Sequence, residues 1–167
     1  MKCDRDTLLL YAVTDRAWTG KQSLAEQVEA AIKGGVTCVQ LREKELDKAD
    51  FFAEALEIAA LCGKYKIPLF INDNVELAKL CGAEGVHVGQ DDMPAAEARR
   101  ILGESAIIGV SVQSVDQALE AVSQGADYLG VGAMFSTSTK ADADVLSMEA
   151  LREICAAVDV PVVAIGG

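Results

Sequence analysis

The stretches GAEGVHVG at residues 82–89 and GADYLGVG at residues 125–132 decide the fold, and a looser copy, GGVTCVQL, lies at residues 34–41. Each copy begins with glycine, which permits the left-handed backbone conformation that ends a helix. Each continues as a short run rich in β-branched residues, which is typical of a strand covered on both faces. The repeat therefore predicts βα units and a parallel sheet.

The remaining apolar runs extend this pattern along the whole chain. Together with the three repeat copies they predict seven strands, at residues 8–15, 36–43, 68–73, 85–89, 107–112, 128–133 and 160–167. Between the strands, apolar residues recur with the period of a helix. Two of the predicted apolar helix faces consist of Leu24, Val28, Ala31 and Ile32, and of Met148, Leu151, Cys155 and Val158. N-caps are predicted at Ser23, Ser114 and Ser147, the first two at capping-box spacing.

Strict alternation of strands and helices leaves two architectures, the doubly wound open sheet and the (β/α)₈ TIM barrel. An open sheet concentrates its site at one switch point, whereas a barrel gathers the carboxyl ends of all strands at one mouth. No G-x-G-x-x-G fingerprint follows the first predicted strand. Polar side chains instead close nearly every strand, namely Asp15, Arg42, Asp73, Gln90, Ser111 and Lys140. This distribution favours an α/β fold of the (β/α)₈ TIM-barrel type.

The length of the chain is short for such a barrel. A (β/α)₈ barrel usually needs about 200 residues or more, whereas these 167 residues stop at the end of the seventh predicted strand. We expect residues 1–167 to form a single barrel domain, truncated after the seventh strand, in which the seventh helix, eighth strand and eighth helix are absent. The natural protein is then expected to continue by about 40 residues.

Composition restricts the partners of the chain. The net charge of −11 disfavours nucleic acid and anionic membranes, because phosphate polyanions attract basic surfaces. Neither a signal peptide nor an apolar run of about 18 residues is present. Small-molecule partners are expected, and a homo-oligomer is left open. The five cysteines lack zinc-site spacing and are expected to be buried free thiols in a reducing cytoplasm.

Three polar side chains lie near the end of the second predicted strand. Gln40, Arg42 and Lys44 point the same way if the two-residue period of a strand continues through them. Two cations and an amide directed at one point suit a polyphosphate, since arginine binds oxygens in a fork and lysine acts as a point charge. The alternative is a solvated strand end whose cations pair with Glu43 and Glu45.

Carboxylates follow the next two strands. Asp73 ends the third strand and Asp92 follows the fourth. Beside a cationic cluster, two such carboxylates would form a hard-oxygen site of the kind that holds Mg²⁺ together with substrate phosphates. The alternative is that either aspartate simply caps the next helix.

The last two predicted strands also end in groups that suit phosphate. The loop after the sixth strand reads STSTK at residues 136–140, and its hydroxyls and backbone N–H groups can cradle phosphate while Lys140 neutralises a leaving group. The seventh strand ends in Gly166 and Gly167, which lets a phosphate approach the backbone closely. The alternatives are that residues 136–140 form only a surface loop and that the two glycines form only a turn. His87, the only histidine, is expected to be packed inside.

Seven strings occur in order along nearly the whole chain: LYAVTDR, QLREK, PLFINDN, GVHVGQDDMP, IIGVSV, GADYLGVGAMFSTSTK and PVVAIGG. Together they closely resemble the thiamine-phosphate synthase family, also called thiamin phosphate pyrophosphorylase. The resemblance implies a (β/α)₈ barrel transferase of thiamine biosynthesis. Such an enzyme joins hydroxymethylpyrimidine diphosphate to the thiazole phosphate with Mg²⁺, and it releases pyrophosphate and thiamine monophosphate.

The resemblance also implies roles for individual residues. Gln40, Arg42, Lys44 and Asn72 would hold the pyrimidine diphosphate, Asp73 and Asp92 would bind Mg²⁺, Ser111 would contact the pyrimidine, and Lys140 would contact the pyrophosphate. Thr137, Ser138, Thr139 and Gly167 would hold the thiazole phosphate. Catalysis is expected from Lys140, Arg42 and Lys44. Two departures from the family pattern are Ala133-Met134 with Ser136, in place of a proline-rich loop, and Gln113, where a histidine is common.

This chemistry needs no protein nucleophile. Pyrophosphate can leave the pyrimidine methylene as a delocalised cation forms, and the thiazole nitrogen can capture that cation, so positioning and electrostatics dominate. Two alternatives are an isomerase similar to the thiazole tautomerases, which would be expected to use a catalytic histidine, and a non-catalytic barrel that binds a phosphate ligand. The complete sets of cations and carboxylates favour the synthase.

Overall fold

The computed structural model describes residues 3–136 and 145–166. Within them, a strand lies inside each of the seven predicted segments, and helices separate successive strands. The strands are β1 Tyr11–Val13, β2 Cys38–Leu41, β3 Leu69–Asn72, β4 Gly85–Val88, β5 Ile107–Val112, β6 Tyr128–Val131 and β7 Val162–Ala164. The helices are α1 Leu24–Lys33, α2 Lys48–Tyr65, α3 Val75–Cys81, α4 Ala95–Leu102, α5 Val115–Ser123 and α6 Met148–Ala157, and a 3-10 helix spans Arg16–Trp18.

The described residues group into two compact units, a first one of residues 4–87 and a second one that begins at residue 88. In the first unit, β1 pairs with β2, β2 with β3 and β3 with β4, and all three pairings are parallel. Every residue of β2 is buried, as predicted for a strand covered on both faces. Because the chain groups into two units, the expected single barrel domain stays a prediction.

The second unit continues the same alternation. β5 pairs in parallel with β6, and β6 with β7. Tyr128 and Leu129 of β6 are fully buried, as is Ile154 of α6. The predicted apolar face of α6 is wrong at two positions, because Met148 and Cys155 are exposed. The buried stripe instead passes through Ile154, one position earlier in a helix that turns about 100° per residue.

Serines begin the helices as predicted. Ser23 accepts a hydrogen bond from the Glu26 N–H, and the Glu26 carboxylate accepts one from the Ser23 N–H, which completes the capping box of α1. Ser147 caps α6. Ser114 caps α5 through the Gln117 N–H.

The five cysteines, all within the described residues, form no disulfide bonds. Cys38 and Cys62 are buried, and burial raises the pKa of the Cys62 thiol to about 12, so that it stays protonated at neutral pH. The expectation of burial is wrong for the other three, because Cys3 and Cys81 are only partly buried and Cys155 is exposed on α6. Among the described helices, none is long and apolar enough to cross a membrane.

Candidate active site

Gln40 and Lys44, near the end of β2, contact different partners. Gln40 is still within the strand and only 5% exposed, and its amide donates to the Tyr11 hydroxyl at 2.7 Å. β2 stops at Leu41, so Lys44 lies in the loop beyond the ladder. We call residues 42–46 the cation loop. The expected common direction of Gln40, Arg42 and Lys44 does not follow from strand geometry, because strand geometry has ended before Arg42.

The structure brings Lys44 to the end of β3. Its ammonium Nζ lies 2.6 Å from Asp73 Oδ2, and the two side chains are 53% and 27% exposed. The alternative expected from sequence was a pair between a loop cation and Glu43 or Glu45. The observed ion pair instead joins a proposed diphosphate ligand to a proposed Mg²⁺ ligand across 29 residues of sequence.

Asp73 is placed by its backbone and does not cap a helix. Its φ is 63°, in the left-handed region, and its N–H donates to the His87 carbonyl at 2.8 Å. The N-cap of α3 is Asn74, whose side chain accepts from the Leu77 N–H. Asn72, the last residue of β3, is half-buried beside these groups. The capping alternative for Asp73 is therefore wrong.

Asp92 lies in the loop between β4 and α4. Its Oδ2 accepts from the Gly89 N–H at 2.7 Å, and α4 has Pro94 as its N-cap without any side-chain cap bond. A Cβ at residue 89 would stand 3.0 Å from Asp92 Oδ2, so glycine permits this close approach. The capping alternative is wrong here too, since the carboxylate closes its own loop.

Ser111 lies in β5, where it is half-buried. Its carbonyl accepts from the Gln90 amide at 2.7 Å, which ties the loop of Asp92 to β5 within the second unit. A cavity of about 130 Å³ lies against this loop and is lined by Gln90, Asp92 and residues of α5, among them Gln117 and Glu120. Ser111 and Asp92 thus belong to one connected region of this unit.

Several predicted site residues lie outside the described residues: Thr137, Ser138, Thr139, Lys140 and Gly167. The segments that flank them are joined, since the Met134 N–H donates to the Ile165 carbonyl at 2.9 Å and the Leu146 N–H to the Ala133 carbonyl at 2.8 Å. Gly166 has a φ of 111°, and a Cβ there would lie 2.7 Å from Ala133 Cα. Glycine at position 166 therefore allows the backbone there to pack directly against Ala133.

An ion-pair network under the cation loop has no counterpart in the sequence-based prediction. The Glu43 side chain is 3% exposed and pairs with Arg16 at 2.8 Å, and Arg16 also pairs with Glu54 of α2 at 2.6 Å. Burial raises the pKa of Glu43, but hydrogen bonds from loop N–H groups and from Arg16 outweigh burial and lower it. The partners are 27 and 38 residues apart, so spacing alone could not reveal them.

The chain's only histidine is buried in β4 at 8% exposure, as expected for a packed residue. Among the described residues, no three histidine, cysteine or acidic side chains form a metal-binding group. Asp73 belongs to the first unit and Asp92 to the second. Each is a carboxylate, the kind of ligand that Mg²⁺ takes together with water and substrate phosphates.

Comparison with known proteins identifies relatives of this chain. The thiamine monophosphate synthase family model matches residues 10–167. The thiamine-phosphate synthases of Clostridium acetobutylicum and Ruminiclostridium cellulolyticum are each 52% identical over 158 residues, which cover 95% of this chain and 75% of theirs. The solved thiamine phosphate pyrophosphorylase from Pyrococcus furiosus matches with a TM-score of 0.86 at 39% identity, over 98% of this chain and 77% of that one.

The comparisons confirm three predictions. The structural match confirms the α/β class and the (β/α)₈ TIM-barrel fold, of which the described residues supply seven strands. The relatives confirm a transferase of thiamine biosynthesis with thiamine-phosphate synthase activity. The family model also confirms the resemblance noted in the sequence, since it spans almost all of the motifs that carry it. The chain belongs to the thiamine monophosphate synthase family.

Proposed function

We propose that the chain performs its synthase reaction by a dissociative step that its charged loops promote. The bond between the pyrimidine methylene and the diphosphate oxygen breaks, and its electron pair leaves with pyrophosphate. The aminopyrimidine delocalises the resulting positive charge. The thiazole nitrogen then donates its lone pair to the methylene carbon and forms the new C–N bond, which yields thiamine monophosphate.

One observation carries this assignment, the 2.6 Å contact between Lys44 and Asp73. It brings a cation from the end of β2 and a carboxylate from the end of β3 to one place. Both side chains are partly exposed, so substrate and metal ion can reach them. Lys44 is proposed to bind diphosphate oxygens, and Arg42 and Lys140 are proposed to stabilise the charge that develops as pyrophosphate leaves.

Asp73 and Asp92 are proposed as Mg²⁺ ligands. Neither carboxylate caps a helix, and exposed carboxylates are the hard oxygen donors that this ion takes. When bound, the ion supplies positive charge to the diphosphate. Because Lys44 contacts only Oδ2 of Asp73, the other carboxylate oxygen could hold the ion while the Lys44 ammonium stays beside it for the diphosphate oxygens.

The remaining residues are proposed to bind and orient the substrates. Gln40 and Asn72 would contact the pyrimidine diphosphate, and Ser111 the pyrimidine ring. The thiazole phosphate is assigned to Thr137, Ser138, Thr139 and Gly167. The proposed partners are small molecules. The proposed location is a reducing cytoplasm, where free thiols persist.

The test is to incubate the protein with both substrates and to measure thiamine monophosphate and pyrophosphate together. Equal amounts of the two products are expected with Mg²⁺ present, and none after chelation. A protein that releases pyrophosphate without making thiamine monophosphate would contradict capture by the thiazole. Full turnover in chelator would contradict the metal assignment.

A further inference from the structure

We propose that Glu43 is a positioning residue for diphosphate binding, which holds the cation loop so that Lys44 faces the substrate, and that Arg16 in turn holds Glu43. This inference rests on the proposed role of Lys44. It adds residues that lie behind the site, and neither of them is proposed to touch the substrate.

Glu43 organises the cation loop through the backbone. Its Oε1 accepts from the N–H groups of Lys44 at 2.7 Å, Glu45 at 2.6 Å and Leu46 at 3.3 Å. A charged acceptor makes such bonds stronger than neutral ones. One buried carboxylate therefore holds three successive residues of the loop in place.

The orientation of Glu43 also removes a negative charge from the substrate side. Its side chain is 3% exposed, whereas that of the next residue, Lys44, is 53% exposed. A carboxylate on the outer side would repel a diphosphate. Turned inward, it leaves the Lys44 cation exposed and contributes only hydrogen bonds to the loop.

A carboxylate buried to this extent needs a positive partner, because burial of an unpaired charge is costly. Arg16 supplies it, with Nε donating to Glu43 Oε2 at 2.8 Å. Its Nη2 reaches Glu54 Oε1 at 2.6 Å, so the arginine is fixed by α2 as well. The backbone of Arg42 is held by Thr14, the residue after β1, whose hydroxyl accepts from the Arg42 N–H at 2.9 Å. The cation loop is thus held by Thr14, by Arg16, which α2 also binds, and from within.

The experiment measures the loop and the site separately. Hydrogen exchange of the amides of residues 44–46 reports loop order, and calorimetric titration with inorganic pyrophosphate and Mg²⁺ reports the site. Glu43→Ala is expected to speed exchange of these amides and to weaken pyrophosphate binding, each by at least about tenfold, since the loss of even one charged hydrogen bond has an effect of this size. In turnover, the KM for the pyrimidine diphosphate should rise more than kcat falls.

Three further variants make the result decisive. Glu43→Gln keeps an oxygen for the loop N–H groups and should restore most of the loop order and binding. Arg16→Gln should also reduce loop order and pyrophosphate binding. It serves as the test of the positioning role if Glu43→Ala does not fold. Glu29→Gln is the control, since it also removes a carboxylate with several donors, and it should change neither readout.

The outcomes separate the two proposals. The positioning role of Glu43 is overturned by itself if Glu43→Ala leaves amide exchange unchanged. It is also overturned by itself if Glu43→Ala leaves pyrophosphate binding unchanged while Lys44→Ala weakens that binding. If Lys44→Ala binds pyrophosphate as well as the unmodified protein, the proposed function of Lys44 fails, and the positioning role fails with it.

Discussion

Asp73 combines an uncommon backbone with a charged contact. Its φ of 63° is in the left-handed region, which aspartate and asparagine enter more readily than most residues with a side chain. Its N–H bonds to the His87 carbonyl, and its carboxylate meets Lys44. The residue type at this position therefore serves both the turn after β3 and the proposed binding of charge.

Asp73→Asn separates these two roles. Asparagine tolerates the same backbone but carries no charge, so we expect Mg²⁺-dependent turnover to fall by roughly a hundredfold while stability stays within about 0.5 kcal/mol. Asp73→Ala should lose the same activity and also about 1 kcal/mol of stability, because alanine is strained at this φ. Initial rates and thermal melts check both variants. Near-normal turnover of Asp73→Asn would remove Asp73 from the metal site.

At the scale of elements, Arg99 of α4 links helix and strand in the second unit. It donates to the carbonyls of Ala106 at 2.6 Å and Gly125 at 3.0 Å, and it pairs with Asp127 at 2.6 Å. The Asp127 carboxylate also accepts from the Ile108 N–H at 2.8 Å. One side chain thereby joins the segments that lead into β5 and β6.

Arg99→Met is expected to destabilise the protein by about 2–3 kcal/mol, because it leaves the partly buried Asp127 and several carbonyls without their donor. The melting temperature should fall by roughly 5–10 °C. The neighbouring Arg100 is a matched control, since its side chain is 75% exposed and its pair with Glu97 is 3.6 Å long. Arg100→Met should change stability by less than about 0.5 kcal/mol. Equal losses in both variants would contradict the linking role.

Glu29 connects α1 with the end of α2. It accepts from the Tyr65 hydroxyl at 2.7 Å and pairs with Lys33 at 3.0 Å and Lys64 at 3.1 Å. These bonds, Tyr65 first, lower the pKa of Glu29 from 4.5 to about 2. A carboxylate with a lowered pKa stabilises the folded state above its unfolded pKa and loses that effect as pH falls through the folded value.

We therefore expect the unmodified protein to melt above Glu29→Gln at pH 7, and the difference to shrink between pH 4.5 and about 2. Because the groups are solvent-exposed, added salt should reduce the difference. Melting curves against pH at two salt concentrations check this. A difference that stays constant down to pH 2 would show that the charge of Glu29 does not contribute.

At the scale of the whole molecule, an acidic protein acts on acidic substrates. The net charge is −11, and both proposed substrates carry phosphate. We therefore expect binding to depend on local cations and on the proposed Mg²⁺, since the protein's overall field repels anions. Arg42, Lys44 and Lys140 are the cations assigned to this task.

Lys140→Ala should lower kcat by roughly a hundredfold while KM stays nearly unchanged, because the charge on pyrophosphate is greatest as it leaves. Steady-state kinetics with the pyrimidine diphosphate varied provide the measurement. Lys79→Ala, which removes an exposed lysine of α3, is the control for a lost positive charge. A rise in KM alone would mean that Lys140 only tethers the substrate.

The amino-acid sequence by itself determined where strands and helices lie and which family the chain belongs to. All seven predicted strand segments contain a strand, and Ser23, Ser114 and Ser147 each begin a helix. These features are local, because a cap bond reaches three residues and an apolar run is contiguous. The family motifs are equally local, so they could be recognised before any contact was known.

Only the tertiary structure decided which charged side chains meet. The sequence predicted a common direction for Gln40, Arg42 and Lys44, and it did not reveal that Lys44 pairs with Asp73 or that Glu43 pairs with Arg16. Strand ends, loop turns and burial choose these partners, which stand 27 to 29 residues apart. Parallel register brings such residues together, as in the pairing of Leu41 with Ile71, and no local pattern encodes it.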